Sequence, residues 1–277
     1  MFVYVNGSVV ESAEAKLSVF DHGIVTGDGA FETIAVYGGR PFALTRHLNR
    51  LRTSALGLMI QEPHLDEVRE AIDLVISQSG LSEGKIRVTY TAGESGLSSD
   101  RLAGPPSLVV ACEPSDFGNG TVTDVVVVPW LKNERGALRG LKTTSYAENV
   151  LSLAYAKQRG GSEALFQNLN GDLCEGTGSN VFVVWDGELV TPPLSSGPLA
   201  GITRDLVLEK IGGAERTIPM EAFYSDAISE VFLTSTIREI QGVSSIDGVM
   251  VSQGQVGPIT LEIAEAFAKL KFESNDL

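Results

Sequence analysis

The chain has little of what several common classes of protein require. Only two of its 277 residues are cysteine, Cys112 and Cys174, and they lie too far apart to form a C-x-x-C pair. Neither a zinc site nor a disulfide framework is expected, and a reducing cytoplasm is the compartment that fits. No apolar run approaches the roughly 20 residues of a membrane span, and nothing at the start resembles an export signal. We therefore expect neither a membrane-spanning segment nor export.

Positive charge is scarce as well. The 21 lysines and arginines are outnumbered by 35 aspartates and glutamates, which gives a formal net charge of −14. Such a balance argues against a basic surface that binds nucleic acid. Any anionic ligand must therefore be held by a few local donors. The three histidines, His22, His47 and His64, lack the spacing of metal ligands, so no metal site is expected.

Two widespread catalytic motifs are also missing. The chain has no Gly-x-x-x-x-Gly-Lys-Ser/Thr phosphate loop and no Gly-x-Ser-x-Gly elbow. The pair Gly176-x-Gly178 lacks the third glycine of a dinucleotide-binding fingerprint and precedes a strand, whereas the fingerprint follows one. Nucleotide hydrolysis, serine hydrolysis and dinucleotide binding are therefore not indicated.

Hydrophobic periodicity in the first part of the chain predicts hairpins followed by helices. An Asn-Gly pair at 6–7 and a Gly-Gly pair at 38–39 each separate two alternating segments, which is typical of β-hairpins. Apolar residues then recur at helical spacing over 44–58 and 65–76, and Gly80 is a plausible helix end. Two strands at 86–90 and 108–111 follow, separated by a Gly/Ser-rich loop that is long enough to be functional.

The size of the chain favours two domains. The stretch 114–123 is rich in serine, aspartate, glycine and asparagine, and we interpret it as the linker between residues 1–113 and 124–277. The second part contains a buried strand at 125–128, hairpins around 170–171 and 186–187, a strand at 230–233, and helices near 204–211 and 258–271. The pattern predicts a two-domain α/β (α+β) protein.

Three features of the second part could hold and use pyridoxal phosphate. A lysine amine such as that of Lys142 can bond an aldehyde, and a carboxylate such as that of Glu175 can keep a pyridine nitrogen protonated. The segment Gly201-Ile202-Thr203 precedes a helix, with Thr203 as the expected N-cap, and free N–H groups there could hold a phosphate. Each feature is unspecific by itself, since surface lysines, strand carboxylates and helix caps are common.

Taken together and in order, the segments resemble the class IV aminotransferase family, which includes branched-chain aminotransferase, D-amino acid aminotransferase and aminodeoxychorismate lyase. The resemblance covers nearly the whole chain. Its motifs are Val5-Asn6-Gly7, Gly27-Asp28-Gly29-Ala30-Phe31-Glu32, Arg46-His47-x-x-Arg50-Leu51, Lys142, Glu175-Gly176-x-Gly178-Ser179-Asn180-Val181-Phe182, Gly201-Ile202-Thr203-Arg204-Asp205 and Phe232-Leu233-Thr234-Ser235-Thr236-x-x-Glu239-Ile240.

The resemblance implies a fold-type IV pyridoxal-phosphate enzyme, with a smaller N-terminal α/β domain, a larger C-terminal pseudo-barrel α/β domain, and the cofactor between them. It implies a homodimer in which the partner's N-terminal loops close the pocket for a small amine or amino-acid substrate. Lys142 would bond the cofactor and carry protons, and Glu175 would pair with the pyridine nitrogen. The other cofactor-binding residues implied are Arg50, Tyr146, Gly178, Ser179, Asn180, Gly201, Ile202, Thr203, Ser235 and Thr236; candidate substrate-binding residues are Phe31, Arg87 and Arg101.

The activity within the family is a choice between two hypotheses. The segments 140–149 and 236–241 look most similar to aminodeoxychorismate lyases, so the first hypothesis is conversion of 4-amino-4-deoxychorismate to 4-aminobenzoate and pyruvate, a step of folate biosynthesis. The alternative is an aminotransferase of branched-chain or D-amino acid type that uses a 2-oxo acid acceptor. The loop 91–101 lacks the closely spaced arginine and histidine of D-amino acid aminotransferases, which weakens the D-specific form. A third hypothesis is a non-catalytic binding domain.

Overall fold

The computed structural model describes residues 1–273 and Asp276, and the chain forms two compact units. The first unit contains Met1–Asp116, Leu141–Tyr146 and Asp276, and the second contains Phe117–Gly140 and Ala147–Glu273. The chain leaves the first unit after Asp116, inside the stretch interpreted as a linker. Leu141–Tyr146 lies in the first unit, whereas the sequence interpretation had assigned it to residues 124–277. Residues 274, 275 and 277 of that predicted domain lie outside the described residues.

An antiparallel sheet forms the centre of the first unit. Its strands are β1 (Phe2–Val5), β2 (Ser8–Glu11), β3 (Gly29–Tyr37), β4 (Arg40–Pro41), β5 (Gly84–Thr91) and β6 (Ser107–Glu113). They are ordered β2-β1-β6-β5-β3-β4. Both predicted hairpins are confirmed: β1 pairs with β2 across Asn6 and Gly7, whose φ angles of 45° and 92° are the positive values that such a turn needs.

Helices cover one side of this sheet. The unit contains α1 (His22–Val25), α2 (Leu44–Gly57) and α3 (Leu65–Ser79). The buried residues of α2 and α3 recur every three or four positions, so each helix turns one apolar stripe inward. α3 ends at Gly80 in the left-handed conformation, with φ of 62°. The stripes pack against buried sheet residues such as Ile34, Ile86 and Val110, and the two predicted helices are thereby confirmed.

A mixed sheet of nine strands forms the centre of the second unit. The strands are β7 (Val122–Val127), β8 (Glu163–Gln167), β9 (Leu173–Gly176), β10 (Asn180–Trp185), β11 (Glu188–Thr191), β12 (Ala214–Glu215), β13 (Ile228–Ser235), β14 (Glu239–Ile246) and β15 (Val249–Met250). Their order is β12-β11-β10-β13-β14-β7-β8-β9, and β15 pairs with β14. β7 runs parallel to β8 and β14, as β11 does to β12, and the other pairs are antiparallel.

The helices of the second unit are α4 (Ala147–Lys157), α5 (Ile202–Leu206) and α6 (Pro258–Glu273), and a π-helical turn at Val207–Ile211 continues α5. The core of the sheet includes Leu165, Leu173 and Leu233, which are completely buried. Both cysteines are free and buried. Within residues 1–273, no helix is long and apolar enough to cross a membrane.

Candidate functional site

Lys142 is fixed by backbone pairing with the first unit's sheet. The N–H of Phe31 donates to the carbonyl of Lys142 at 3.0 Å, and the N–H of Thr144 donates to the carbonyl of Gly29 at 2.8 Å. The N–H of Lys142 itself donates to Ser54 Oγ at 3.0 Å. The short segment 141–146 therefore acts as an added piece of strand beside β3, and its pairing explains why it belongs to the first unit.

The Lys142 side chain lies against an aromatic ring. Its Nζ is 4.2 Å from the centroid of the Phe31 ring, and the guanidinium carbon of Arg87 is 4.0 Å from the same centroid. The Tyr146 ring meets Phe31 edge-on at 5.3 Å. Phe31, Arg87 and Tyr146 line one pocket together with Thr89 and Thr144. Four candidates from the sequence thus come together, and the two threonines were not among the predicted residues.

The side chain of Arg87 differs from those of the other candidate arginines because the residue is exposed and its guanidinium forms no hydrogen bond or salt bridge with any residue that the structure describes. A cation at a pocket wall without a carboxylate partner suits a carboxylate ligand, since no internal ion pair has to break first. Arg87 comes from β5, a strand whose alternation turns it away from the buried Ile86 and Val88.

Arg50 lies in a buried ion cluster. Its Nε and Nη2 each donate to one oxygen of Glu32 at 2.8 Å, and His47 Nδ1 lies 2.7 Å from the second oxygen. Glu32 is fully buried. Burial alone would raise the pKa of the Glu32 carboxyl, but the charge and hydrogen bonds of Arg50 and the hydrogen bond from His47 lower it to about 2. Glu32 therefore carries a full negative charge that orients Arg50.

His47 is neutral in this cluster. Burial lowers the pKa of His47 below its usual value, and the nearby cations Arg50 and Lys142 lower it further, while Glu32 acts in the opposite direction. An ionised carboxylate only accepts hydrogen bonds, so the neutral ring must carry its proton on Nδ1 and donate it to Glu32. Neither Glu32 nor His47 was a predicted site residue, although both stand in the motifs that carry the resemblance.

Arg101 makes a different ion pair. Its Nε and Nη2 donate to the two carboxylate oxygens of Asp28, at 2.6 and 2.5 Å, and its Nη1 donates to the carbonyl of Met59. His22 Nδ1 lies 2.8 Å from Asp28, and its Nε2 lies 2.9 Å from the carbonyl of Ser98. The long loop between β5 and β6 is thus tied down by one carboxylate. Arg101 as a substrate ligand stays a prediction, and it would have to compete with this pair.

Glu175 in the second unit is a buried carboxylate at the end of β9. Its Oε1 forms a salt bridge with Lys132 Nζ at 2.8 Å, and its Oε2 accepts a hydrogen bond from the N–H of Leu199 at 2.9 Å. Lys132 also lies over the ring of Phe166, at 4.9 Å from the centroid. Sequence reasoning missed Lys132, which stands in an irregular stretch between β7 and α4 and has no motif around it.

The turn after β9 connects Glu175 to other candidate residues. Asn180 Nδ2 donates to the carbonyl of Leu199 at 2.8 Å, so Asn180 and Glu175 hold the same loop residue from two sides. A Cβ at Gly201 would lie only 1.8 Å from Asn180 Oδ1, so glycine is required there. A Cβ at Gly178 would meet nothing within 4 Å. The surface above Gly178 is therefore open to a ligand.

The start of α5 differs in one detail from the sequence prediction. The N-cap is Gly201, not Thr203, and no side chain caps the helix. Thr203 is instead the second helical residue and is buried. Gly201 has an extended conformation with φ of −77° and ψ of 130°, so the helix begins at Ile202.

Ser235 and Thr236 lie in the turn between β13 and β14. Ser235 Oγ accepts a hydrogen bond from the N–H of Arg238 at 3.0 Å, and Glu239 closes the turn with a φ of 50°. Both carboxylate oxygens of Glu239 accept from Lys271 Nζ of α6, each at 2.8 Å. The neighbouring Thr234 Oγ1 is buried, and no described residue gives it a hydrogen-bond partner.

Comparison with known proteins identifies the class of protein that these sites belong to. The model of the class IV aminotransferase family matches residues 29–246, and the chain belongs to this family. Class IV aminotransferases are pyridoxal 5'-phosphate enzymes, so this chain is an enzyme with that cofactor.

Individual relatives point to two activities within the class. A Methanocaldococcus jannaschii protein provisionally named a branched-chain-amino-acid aminotransferase is 35% identical, over 98% of this chain and 96% of that protein. The D-alanine aminotransferase of Staphylococcus aureus is 32% identical, over 96% of both chains. The crystal structure of the branched-chain amino acid aminotransferase of Escherichia coli superposes with a TM-score of 0.89 at 31% identity, and covers 97% of this chain and 94% of that one. The predicted fold type IV is thereby confirmed.

The residues present suit the cofactor chemically. Lys142 carries an amine that can bond an aldehyde, and Glu175 carries a buried carboxylate of the kind that can pair with a pyridine nitrogen. The open surface at Gly178 permits close approach of a flat ring. The buried hydroxyl of Thr234, which has no hydrogen-bond partner among the described residues, lies near the end of β13 and directly precedes Ser235 and Thr236, whose hydroxyl and N–H groups are of the kind that binds a phosphate.

Proposed function

We propose that this chain is an amino-acid aminotransferase that moves an amino group from an amino acid to a 2-oxo acid, with Lys142 as the residue bonded to the cofactor. The observation that supports it best is the arrangement around Phe31, where the amine of Lys142 and the guanidinium of Arg87 contact the same ring at 4.2 and 4.0 Å. An amine that can move a proton thus lies beside a cation that can hold a substrate carboxylate.

In this proposal Arg87 binds the substrate carboxylate, and Phe31 and Tyr146 form the apolar wall beside it. Lys142 Nζ would move the proton between the substrate carbon and the cofactor carbon, a role that suits an amine near an apolar ring. Bound pyridoxal phosphate supplies an electron sink for the bonds of that carbon. Glu175 accepts a hydrogen bond from the pyridine nitrogen, and its orientation for this task comes from Lys132 and the Leu199 N–H.

The other residues that the resemblance implies would surround the phosphate and the ring of the cofactor. They stay proposals because they derive from the family resemblance. These residues are Arg50, Gly178, Ser179, Asn180, Gly201, Ile202, Thr203, Ser235 and Thr236. Arg50 uses two of its nitrogens on Glu32. This pairing with a buried carboxylate holds the Arg50 guanidinium in one orientation.

The substrate class that we propose is a branched-chain amino acid of L configuration. Two observations favour it over a D-amino acid. The relatives include branched-chain aminotransferases. The loop 91–101 contains one arginine, Arg101, and no histidine, and Arg101 is already paired with Asp28. The lyase hypothesis is less favoured, because the relatives and structures reported above carry aminotransferase names.

Activity on defined substrates tests the proposal. L-leucine, L-valine, D-alanine and D-leucine are each offered with 2-oxoglutarate, and 4-amino-4-deoxychorismate is offered without any acceptor. We expect glutamate formation from the L-branched substrates and no pyruvate from aminodeoxychorismate. Glutamate from the D isomers alone would transfer the assignment to the D-amino acid type. Pyruvate release without an acceptor would support the lyase.

Two variants test the roles of the residues. Lys142→Ala should lose the near-visible absorbance band that borohydride abolishes in the wild type, and should lose turnover. Arg87→Gln should raise KM for the amino acid by roughly tenfold or more while kcat falls less, because one charged hydrogen-bonding partner worth about 1.5–3 kcal/mol is removed. Arg101→Gln is the comparison variant; a rise in KM for Arg101→Gln without one for Arg87→Gln would refute Arg87 as the carboxylate ligand.

We also propose a cytoplasmic homodimer. The first unit exposes five large apolar side chains near the loop that Asp28 holds. Met59 is 88% exposed, Leu97 75% and Leu102 63%, and the exposed Phe20 and Ile24 flank His22 in the sequence. Large exposed apolar side chains gathered on one unit are typical of interaction sites when they form a patch. Light scattering coupled to size exclusion should give twice the monomer mass, and Met59→Lys should reduce it.

A further inference from the structure

Glu163 is a buried carboxylate of the second unit that neither the motifs nor the proposed chemistry uses. It is the first residue of β8 and only 2% exposed. Its Oε1 accepts hydrogen bonds from the N–H groups of Ala164 and Thr177, at 3.0 and 3.1 Å, and from the Thr177 hydroxyl. Its Oε2 accepts from the Ser179 hydroxyl at 3.0 Å. One carboxylate thus holds both sides of Gly178.

Arg238 connects the same carboxylate to a second turn. Its Nε lies 3.4 Å from Glu163 Oε2, and its Nη2 donates to the carbonyl of Ser162 at 2.9 Å. A further nitrogen of the guanidinium pairs with Gln241. The backbone N–H of Arg238 donates to Ser235 Oγ at 3.0 Å. Arg238 is therefore fixed by its side chain on the Glu163 side and by its backbone on the Ser235 side.

We propose that Glu163 is a positioning residue for the cofactor: it holds the turn 177–180 and, through Arg238, the turn 235–238 at a fixed separation within the second unit. The inference rests on the proposed function, which places Ser179 and Asn180 of the first turn and Ser235 and Thr236 of the second around the cofactor. A rigid ligand needs both turns at one spacing. A buried anion with donors from both turns sets that spacing before the ligand arrives.

The charge of Glu163 is essential to this role. An ionised carboxylate only accepts hydrogen bonds, and all its contacts here are donors. In Glu163→Gln the side-chain NH2 group has to face at least one of these donors. A donor facing a donor in a buried place is unfavourable, so one of the two turns must move. The size of the side chain stays nearly the same, which separates charge from packing.

A second buried carboxylate of the same unit provides a matched control. Glu230 is 4% exposed and accepts hydrogen bonds from the N–H groups of Ile259 and Thr260 and from the Thr260 hydroxyl, at 3.1, 2.8 and 2.8 Å. It holds the start of α6 and contacts none of the residues proposed to bind the cofactor. Glu230→Gln therefore removes a similar set of buried hydrogen bonds without loosening either turn.

The experiment measures the binding of pyridoxal phosphate to cofactor-free wild type, Glu163→Gln and Glu230→Gln, together with thermal unfolding of each. We expect Glu163→Gln to raise the dissociation constant for pyridoxal phosphate by roughly tenfold or more, because removal of a residue that orients a ligand group commonly has such an effect. The absorbance band of the bound cofactor should also change its pH dependence. Glu230→Gln should lower the unfolding temperature and leave the dissociation constant within about twofold.

Arg238 variants keep the inference testable if Glu163→Gln does not fold. Arg238→Leu should weaken cofactor binding, and Arg238→Lys, which keeps a cation beside Glu163, should restore part of it. The inference is overturned if Glu163→Gln or Arg238→Leu binds the cofactor as the wild type does, or if Glu230→Gln weakens binding equally. Wild-type protein that forms no borohydride-sensitive band would refute the proposed function instead.

Discussion

Replacing Glu32 with glutamine tests the electrostatic account of the first unit most directly. Glu32 is fully buried, and Arg50 contacts it through two hydrogen bonds of 2.8 Å while His47 contacts it at 2.7 Å. Glu32→Gln keeps the shape of the side chain and removes its charge. Arg50, whose side chain is only 13% exposed, then loses its counter-charge.

The magnitude follows from the pKa. Arg50 and His47 overcome the effect of burial and lower the pKa of Glu32 from 4.5 to about 2. At 1.36 kcal/mol per pKa unit, this shift corresponds to roughly 3 kcal/mol of stability at neutral pH. Removing one partner of a buried ion pair costs about 3–5 kcal/mol in other proteins. We therefore expect Glu32→Gln to lower the free energy of unfolding by about 3 kcal/mol at pH 7.

The pH dependence has a definite sign. A carboxylate with a depressed folded pKa contributes stability that is complete above its unfolded pKa of about 4.5 and is lost as the pH falls toward about 2. The difference between wild type and Glu32→Gln should therefore be constant from pH about 8 to 5 and should shrink below that. Burial lowers the pKa of His47, so its protonation in the unfolded chain reduces the stability of both proteins as the pH falls below the unfolded value.

Urea unfolding at a series of pH values measures the effect, and Glu62→Gln is the control. Glu62 also forms an ion pair with an arginine, Arg52, at 2.6 Å, but both side chains are about half exposed. Its replacement should cost less than about 1 kcal/mol. The reasoning is refuted if Glu32→Gln costs no more than Glu62→Gln, or if the cost of Glu32→Gln is the same at pH about 3 as at pH 7.

Two further predictions concern backbone contacts and the long loop. Gly201→Ala should destabilise the protein by about 1–3 kcal/mol because its Cβ would overlap Asn180 Oδ1. Gly178→Ala should leave the unfolding temperature unchanged and weaken cofactor binding, because its Cβ would meet no protein atom. Equal unfolding temperatures for the two variants would contradict this. Arg101→Gln should speed proteolysis within the loop 93–106, as followed by mass spectrometry, because Asp28 then loses its two hydrogen bonds from the loop; unchanged cleavage would show that other contacts hold the loop.

Local patterns in the sequence were sufficient for most of the fold. The Asn-Gly hairpin at residues 6–7, the helix that ends at Gly80 and the strand containing Glu175 are all confirmed, because each depends on neighbouring residues and on turn chemistry. The resemblance to class IV aminotransferases depends on motifs in a fixed order, and it too is confirmed by the family match. Local structure that depends on residues close together in the chain could therefore be derived from the sequence alone.

Contacts between distant segments could not be derived in this way. Nothing in Leu141–Tyr146 shows that the segment pairs with β3, more than 100 residues earlier, and this pairing places Lys142 beside Phe31. The partners of Glu175 and Glu163 are likewise set by long-range packing. The helix begins at Ile202 without any side-chain cap, so the local preference for threonine as an N-cap pointed to Thr203 instead of Gly201.

The acidic composition has a consequence for how this protein binds anions. Arg50, Arg101, Lys132 and Arg238 each lie beside a carboxylate, so these four cations are already paired with a negative charge. Long-range attraction of a phosphate or carboxylate is therefore weak, and binding must depend on hydrogen bonds within a few ångströms. Arg87 is different, because it forms no salt bridge with a described residue. In the proposed function the substrate carboxylate would therefore bind Arg87, where no carboxylate of a described residue competes with it, although the net charge of the chain is negative.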